Sequence, residues 1–244
     1  MDFQETLELA ATLPETLGPL VADIDGTLTD DQRAIDPRVL PILRGWPAPV
    51  VVATGKAMPY PVALCEFLGL DVNVVAENGG VALAGRAGTL EFTGDREAAV
   101  AVVEEYRDRG YSLGWGAADL VNRWRETEIA VSRDAPLEPL EEIAEDYGLV
   151  VVDTGYAYHV KSPEQSKGRA LAVLAEDLEF APADCLAVGD SINDVSTFER
   201  ADHSVAVANA DEDAKAAADH VTAAGFGDGF LEAVSWFAER EPEV

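Results

Sequence analysis

A chain of 244 residues with 48% hydrophobic side chains can bury a substantial core, so disorder is excluded as its general state. Its 46 acidic against 17 basic residues leave a formal charge of -29, spread along the whole length, which excludes nucleic acid and anionic membranes as partners. Such a carboxylate surface suits very high salt, where screening acts within about 3 Å, and stability and activity are expected to fall in dilute buffer.

The two thiols, Cys65 and Cys185, lie in apolar runs without metal-ligand spacing and read as buried, reduced cysteines. The acidic start, Met1-Asp2-Phe3-Gln4-Glu5-Thr6, is unlike a secretory leader, and no apolar run has the length of a membrane span. Cytoplasmic localisation is the expectation.

Residues 3 to 12 fit a short amphipathic helix with Leu7, Leu9, Ala10 and Leu13 on its apolar side. The run Leu20-Val21-Ala22 then reads as a buried strand that ends in Asp23-Ile24-Asp25-Gly26-Thr27-Leu28-Thr29, two carboxylates one residue apart followed by a turn. Pro37 opens a helix through Leu43, and Val50-Val51-Val52-Ala53 is a second buried strand ending in Thr54-Gly55-Lys56. A helix over 60–68 and a third strand at 72–76 follow, closed by Glu77-Asn78-Gly79-Gly80.

From 84 to 158 the simple alternation stops. Strands are expected at 90–93, 128–131 and 150–153, with helices over 97–107 and 137–147, so this stretch reads as an inserted α+β unit. Alternation then resumes with a helix opened by Ser166-Lys167-Gly168. Lys167 stands at the helix end where a cation is disfavoured, in a chain with lysine only at 56, 161, 167 and 215, so either an anion bound at the helix start or an exposed lysine tolerated at a small cost accounts for it. The strand Cys185-Leu186-Ala187-Val188 ends in Gly189-Asp190-Ser191-Ile192-Asn193-Asp194. A strand at 204–207, a helix over 213–218, a loop at 225–229 and a last helix over 230–237 complete the chain.

Asp23, Asp25, Thr54 and Asp190 thus all terminate apolar strands, and in a doubly wound parallel sheet such ends lie along one edge. Carboxylates gathered there repel, and an all-oxygen set points to Mg²⁺ as the relief. A hard cation, an ammonium and a hydroxyl around one nucleophilic carboxylate describe phosphoryl transfer.

Taken in order, the segments at 23–29, 54–55, 167–168 and 189–194 resemble the four motifs of the haloacid dehalogenase superfamily of phosphatases. The segments Ala76-Glu77-Asn78-Gly79-Gly80, Val205-Ala206-Val207-Ala208-Asn209-Ala210 and Gly227-Asp228-Gly229 are similar to its archaeal phosphoglycolate phosphatases. The resemblance implies a Rossmann-like core over 1–83 and 159–244 with an inserted cap over 84–158 that selects the substrate. It implies Asp23 as nucleophile and Asp25 as acid and base, Thr54 and Lys167 as phosphate contacts, and Mg²⁺ at Asp23, the Asp25 carbonyl, Asp190 and, through water, Asp194, with Asn193 orienting that shell. The expected reaction is hydrolysis of 2-phosphoglycolate. A sugar phosphate or other small phosphorylated metabolite is the alternative substrate, while a phosphomutase and a non-catalytic phosphate-binding regulator are rival classes. Lys56, Arg123, Arg125, His159 and Lys161 are the cations available to a substrate carboxylate; an exposed face is the competing reading for Arg123 and Arg125, and a satisfied structural histidine on a strand between cap and core is the competing reading for His159. The segment before Pro19 is longer than the resemblance leads one to expect, and monomer and homodimer are both left open.

Overall fold

A computed structural model describes residues 1–240. The described elements, in chain order, are α1 (Phe3–Ala11), β1 (Leu20–Ala22), α2 (Val39–Gly45), β2 (Val50–Ala53), α3 (Pro59–Leu68), β3 (Asn73–Ala76), β4 (Val81–Ala84) and β5 (Leu90–Phe92). They continue with α4 (Arg96–Asp108), β6 (Ile129–Ser132), α5 (Leu137–Asp146), β7 (Val150–Asp153), β8 (Ala157–Lys161) and α6 (Lys167–Asp177). The last are β9 (Leu186–Gly189), α7 (Val195–Phe198), β10 (His203–Ala206), α8 (Glu212–Ala217), β11 (His220–Val221) and α9 (Phe226–Ala238).

Eight strands form one sheet in the order β11-β10-β9-β1-β2-β3-β4-β5. The first six of these pair in parallel, and β4 and β5 add an antiparallel edge. The chain runs outward from β1 through β2 and β3, then returns to β9 on the other side of β1. That reversal creates a crevice beyond the carboxyl ends of β1, β2 and β9.

Both faces of the sheet are covered, which is why its central strands read as unbroken apolar runs. On one face Leu20, Ala22, Val188 and Val205 pack against Ile42 and Leu43 of α2 and Phe230, Val234 and Phe237 of α9. On the other, Val21, Val51 and Val75 pack against Ala170, Leu171 and Leu174 of α6. Leu9, Ala10 and Leu13 lie against the first cluster as expected, whereas Leu7 is exposed.

A second, three-stranded antiparallel sheet, β6-β8-β7, has its own core in which Val131 and Val160 meet Val102 and Tyr106 of α4 and Leu140 and Ile143 of α5. The expected limits of the insertion need correction. The strand at 90–92 pairs with β4 and so extends the large sheet, and β8 runs through the expected boundary between 158 and 159. Periodicity identified these strands but carries no information about which partner each one takes. The loop expected at 225–229 is the opening of α9, with Gly225 as its N-cap and the Gly227 amide donating to the Thr29 carbonyl at 3.0 Å. Glycines there permit that close approach, and Asp228 in the first turn suits the helix dipole.

Candidate active site

A cleft of about 360 Å³ opens at the reversal point and is lined, among others, by Asp23, Asp25, Thr54, Lys56, Arg125 and His159. Asp23 follows β1 directly, and its amide donates to the Val188 carbonyl of β9 at 3.1 Å, which continues the ladder to the catalytic edge. The chain then turns tightly, with Gly26 at φ 87°. A Cβ on Gly26 would collide with the Asp190 carboxylate, so glycine is what lets the 23–26 turn and the 190–194 turn meet. Asn209 locks the turn from outside, donating to the Gly26 carbonyl at 3.0 Å and accepting the Phe226 amide at 2.6 Å.

The anion beside Lys167 is provided by the protein. Its ammonium, wholly buried, donates to Asp23 Oδ1 at 2.6 Å and Asp194 Oδ1 at 2.7 Å. Those two carboxylates raise the lysine pKa against the effect of burial. The other Asp194 oxygen accepts the amides of Asp190 and Ser191 at 3.0 and 3.1 Å. Asp194 is therefore a brace that shapes the Asp190 turn, with both oxygens engaged.

Asp23 and Asp190 face the cleft. Burial first, then neighbouring carboxylates, pushes both upward from the ordinary aspartate range, against the pull of Lys167. No described residue donates a hydrogen bond to the Asp190 carboxylate. Two adjacent acids short of positive charge, with oxygen as the only donor atom, fit a hard divalent cation that keeps several waters. Among the described residues, no three His, Cys, Asp or Glu side chains already converge on one point to make a closed metal cage. The Asp25 carboxylate faces elsewhere: Lys56 Nζ lies 2.9 Å from its Oδ1 and 2.7 Å from its Oδ2.

Thr54 ends β2 on the opposite wall of the cleft, buried, with its amide on the Val75 carbonyl at 2.8 Å and its hydroxyl accepting the Lys56 amide at 3.2 Å. The structure thus brings Asp23, Asp25, Thr54 and Asp190 to the cleft, while Lys167 and Asp194 stand behind Asp23. Asn193, expected to orient this shell, donates to Asn78 Oδ1 at 2.9 Å.

Sequence reasoning missed a second group of polar residues where the two sheets meet. Glu77 and Asn78, consecutive residues at φ 53° and 52°, reach from the end of β3 into the insertion. The buried Glu77 carboxylate accepts the amides of Glu126 and Thr127 at 2.9 and 2.8 Å and that of Glu128 at 3.2 Å. In return, Glu128 of the insertion accepts from Asn78 at 2.8 Å, from Arg125 at 2.6 Å and from His159 at 2.6 Å. Arg125 also donates to the Gly55 carbonyl at 2.8 Å and is almost fully buried, so the exposed-face reading of it fails. The signal available was Glu77 itself, an acid ending an apolar strand as Asp23 and Asp190 do.

The match to a family model described as haloacid dehalogenase-like hydrolase covers residues 131–234. A curated phosphoglycolate phosphatase of Haloarcula marismortui is 62% identical over 217 residues, 89% of this chain and 96% of that protein. Its counterpart from Archaeoglobus fulgidus is 35% identical over 89% of this chain and 95% of its own length. Among solved structures, a Thermoplasma acidophilum protein superposes with a TM-score of 0.77 at 26% identity, covering 91% of this chain and 98% of its own. A Thermotoga maritima protein reaches 0.71 at 21% identity, over 93% and 98% of the two chains. The chain belongs to the haloacid dehalogenase-like hydrolases. Within them it is a phosphatase, and its curated relatives at 55 to 62% identity, all from halophilic archaea, bear the name phosphoglycolate phosphatase.

Proposed function

We propose that this phosphatase hydrolyses 2-phosphoglycolate through a phosphorylated Asp23, and that the observation carrying the mechanism is Asp23 itself, held by Lys167 on the floor of a cleft whose rim carries Asp25. The substrate assignment is supported by the names of the halophilic relatives. Asp23, Asp190 and the Asp25 carbonyl, with Asp194 behind them, would hold a Mg²⁺ ion, which would supply positive charge to offset the nucleophile and the phosphate together.

The chain's own groups carry the steps. A carboxylate oxygen of Asp23 forms a bond to phosphorus as the bond from phosphorus to the ester oxygen breaks. Asp25 gives its proton to the departing alkoxide, which leaves as glycolate. It then takes a proton from water, whose oxygen attacks phosphorus and releases phosphate, restoring Asp23. Thr54 and its loop contact the phosphoryl oxygens, and Lys167 pulls Asp23 toward its ionised form and fixes its rotamer. Lys56 holds the Asp25 carboxylate at the cleft edge between these proton transfers.

The unit formed by α4, β6, α5, β7 and β8 acts as the cap that excludes water and reads the substrate. The acidic surface adapts the protein to concentrated salt, and among the described residues no helix is long and apolar enough to cross a membrane. Phosphate release from a panel of phosphomonoesters, in molar salt with Mg²⁺, tests the substrate. A marked preference for 2-phosphoglycolate is expected, and an equal or greater rate on sugar phosphates overturns it.

A further inference from the structure

The mechanism above leaves the end of the substrate remote from phosphorus without a partner, and the cap side of the cleft offers one. His159, on β8, is 5% exposed, and its ring lines the same cleft as Asp23 and Asp25. Its Nδ1 lies 2.6 Å from Glu128 Oε1. Burial pushes Glu128 up, but His159, then Arg125 and Asn78, outweigh it and bring its carboxyl down to about 2. Glu128 is therefore an anion under working conditions, and it places a proton on Nδ1.

The other ring nitrogen, Nε2, makes no hydrogen bond with any described residue. Two of the cations lining the cleft are already committed, while the third, Arg33, lies over the Tyr156 ring at 5.3 Å and has no carboxylate partner among the described residues. Arg125 is spent on Glu128, the Gly55 carbonyl and the Val121 carbonyl, and Lys56 on Asp25. Arg125 and Glu128 offset each other's charge, and the imidazolium form of His159 carries two N–H donors. Both nitrogens then donate, one to Glu128 and the other into the cleft. A charge-assisted donor of this kind favours a carboxylate over a hydroxyl.

We propose that His159, oriented by Glu128, is the specificity-determining residue that binds the carboxylate of the substrate through Nε2. This assignment rests on the phosphoglycolate reading and names the contact responsible for it. Glu128 is a positioning residue, and Arg125 ties the same cluster to the Thr54-Gly55 loop that faces the phosphoryl group.

The test is His159→Asn in the full chain, assayed in molar salt. The Asn amide takes over the Nδ1 bond to Glu128 and presents nothing at Nε2, whereas His159→Gln reaches the Nε2 position. For His159→Asn, the KM for 2-phosphoglycolate should rise roughly 10–100-fold while kcat/KM for p-nitrophenyl phosphate, which has no carboxylate, stays within about twofold. Competitive inhibition by glycolate should weaken in parallel, inhibition by inorganic phosphate should not, and His159→Gln should recover part of the loss. An unchanged KM for 2-phosphoglycolate, or an equal loss on both substrates, overturns the assignment while leaving the substrate reading intact. Failure of the unmodified protein to turn over 2-phosphoglycolate overturns the substrate reading by itself. If His159→Asn does not fold, NMR of the unmodified protein decides, because it has only three histidines. Glycolate with phosphate should shift the His159 ring signals and leave those of His203 and His220 in place, and an unmoved His159 signal overturns the proposal.

Discussion

Asp23 and Asp194, beyond the ends of β1 and β9, share the ammonium of Lys167, Asp190 beside them has no such partner, and burial with mutual repulsion pushes Asp23 and Asp190 upward. Glu128, across the cleft and just as deeply buried, titrates far below the usual carboxylate range because Arg125, His159 and Asn78 all donate to it. The contrast shows that depth alone does not decide what a buried acid does. The ratio of donors to oxygens does, and it divides the cleft into a core side short of positive charge and a cap side whose Glu128 carboxylate is fully supplied with donors while His159 Nε2 stays free. The deficient side is suited to recruiting a cation and reacting. The balanced side is suited to holding the two sheets together.

Four experiments can break or sharpen this division. Asp23→Asn removes the nucleophile while leaving an isosteric hydrogen-bonding group beside Lys167. Turnover should fall by at least about 10³-fold with the circular dichroism spectrum unchanged, and substantial residual phosphate release would refute the role of the deficient side. Glu128→Gln breaks the balanced side and leaves Arg125 buried without its counter-charge, so urea unfolding in molar salt should register a loss of about 3–5 kcal/mol.

The same variant has a pH signature. Because the folded pKa of Glu128 is depressed to about 2, its contribution to stability is fully present above the unfolded value and is lost as pH falls through the acid range toward 2. The difference in stability between the native protein and Glu128→Gln should therefore shrink between about pH 4.5 and pH 2. A difference that stays constant across that window would show that the balance is not electrostatic.

Binding of Mg²⁺ should raise the unfolding temperature of the native protein, by the equivalent of about 2.7 kcal/mol at a hundredfold excess over its dissociation constant. Asp190→Asn should abolish that rise, and a full Mg²⁺ response in this variant would place the cation elsewhere. The smallest effect is expected away from the cleft. Arg38 pairs with Asp228 at 2.6 Å on the surface, and Asp228→Asn should change stability by less than about 1 kcal/mol. A larger loss there would mean that exposed pairs matter in this acidic chain as much as buried ones.

The fold class and the core side of the cleft were legible in the sequence because both depend on local order. Apolar runs of strand length announce buried parallel strands, and a chain of parallel strands must deliver Asp23, Thr54 and Asp190 to one edge whatever the loops do. Tertiary structure alone decided the partners. Only the folded chain shows that the strand at 90–92 joins the large sheet, that Lys167 finds its anion in Asp23 and Asp194, and that Glu77 and Glu128 exchange donors across the cleft. Those contacts join residues as many as 144 positions apart. Their free energies come from desolvation and hydrogen-bond geometry, which no spacing along the chain encodes.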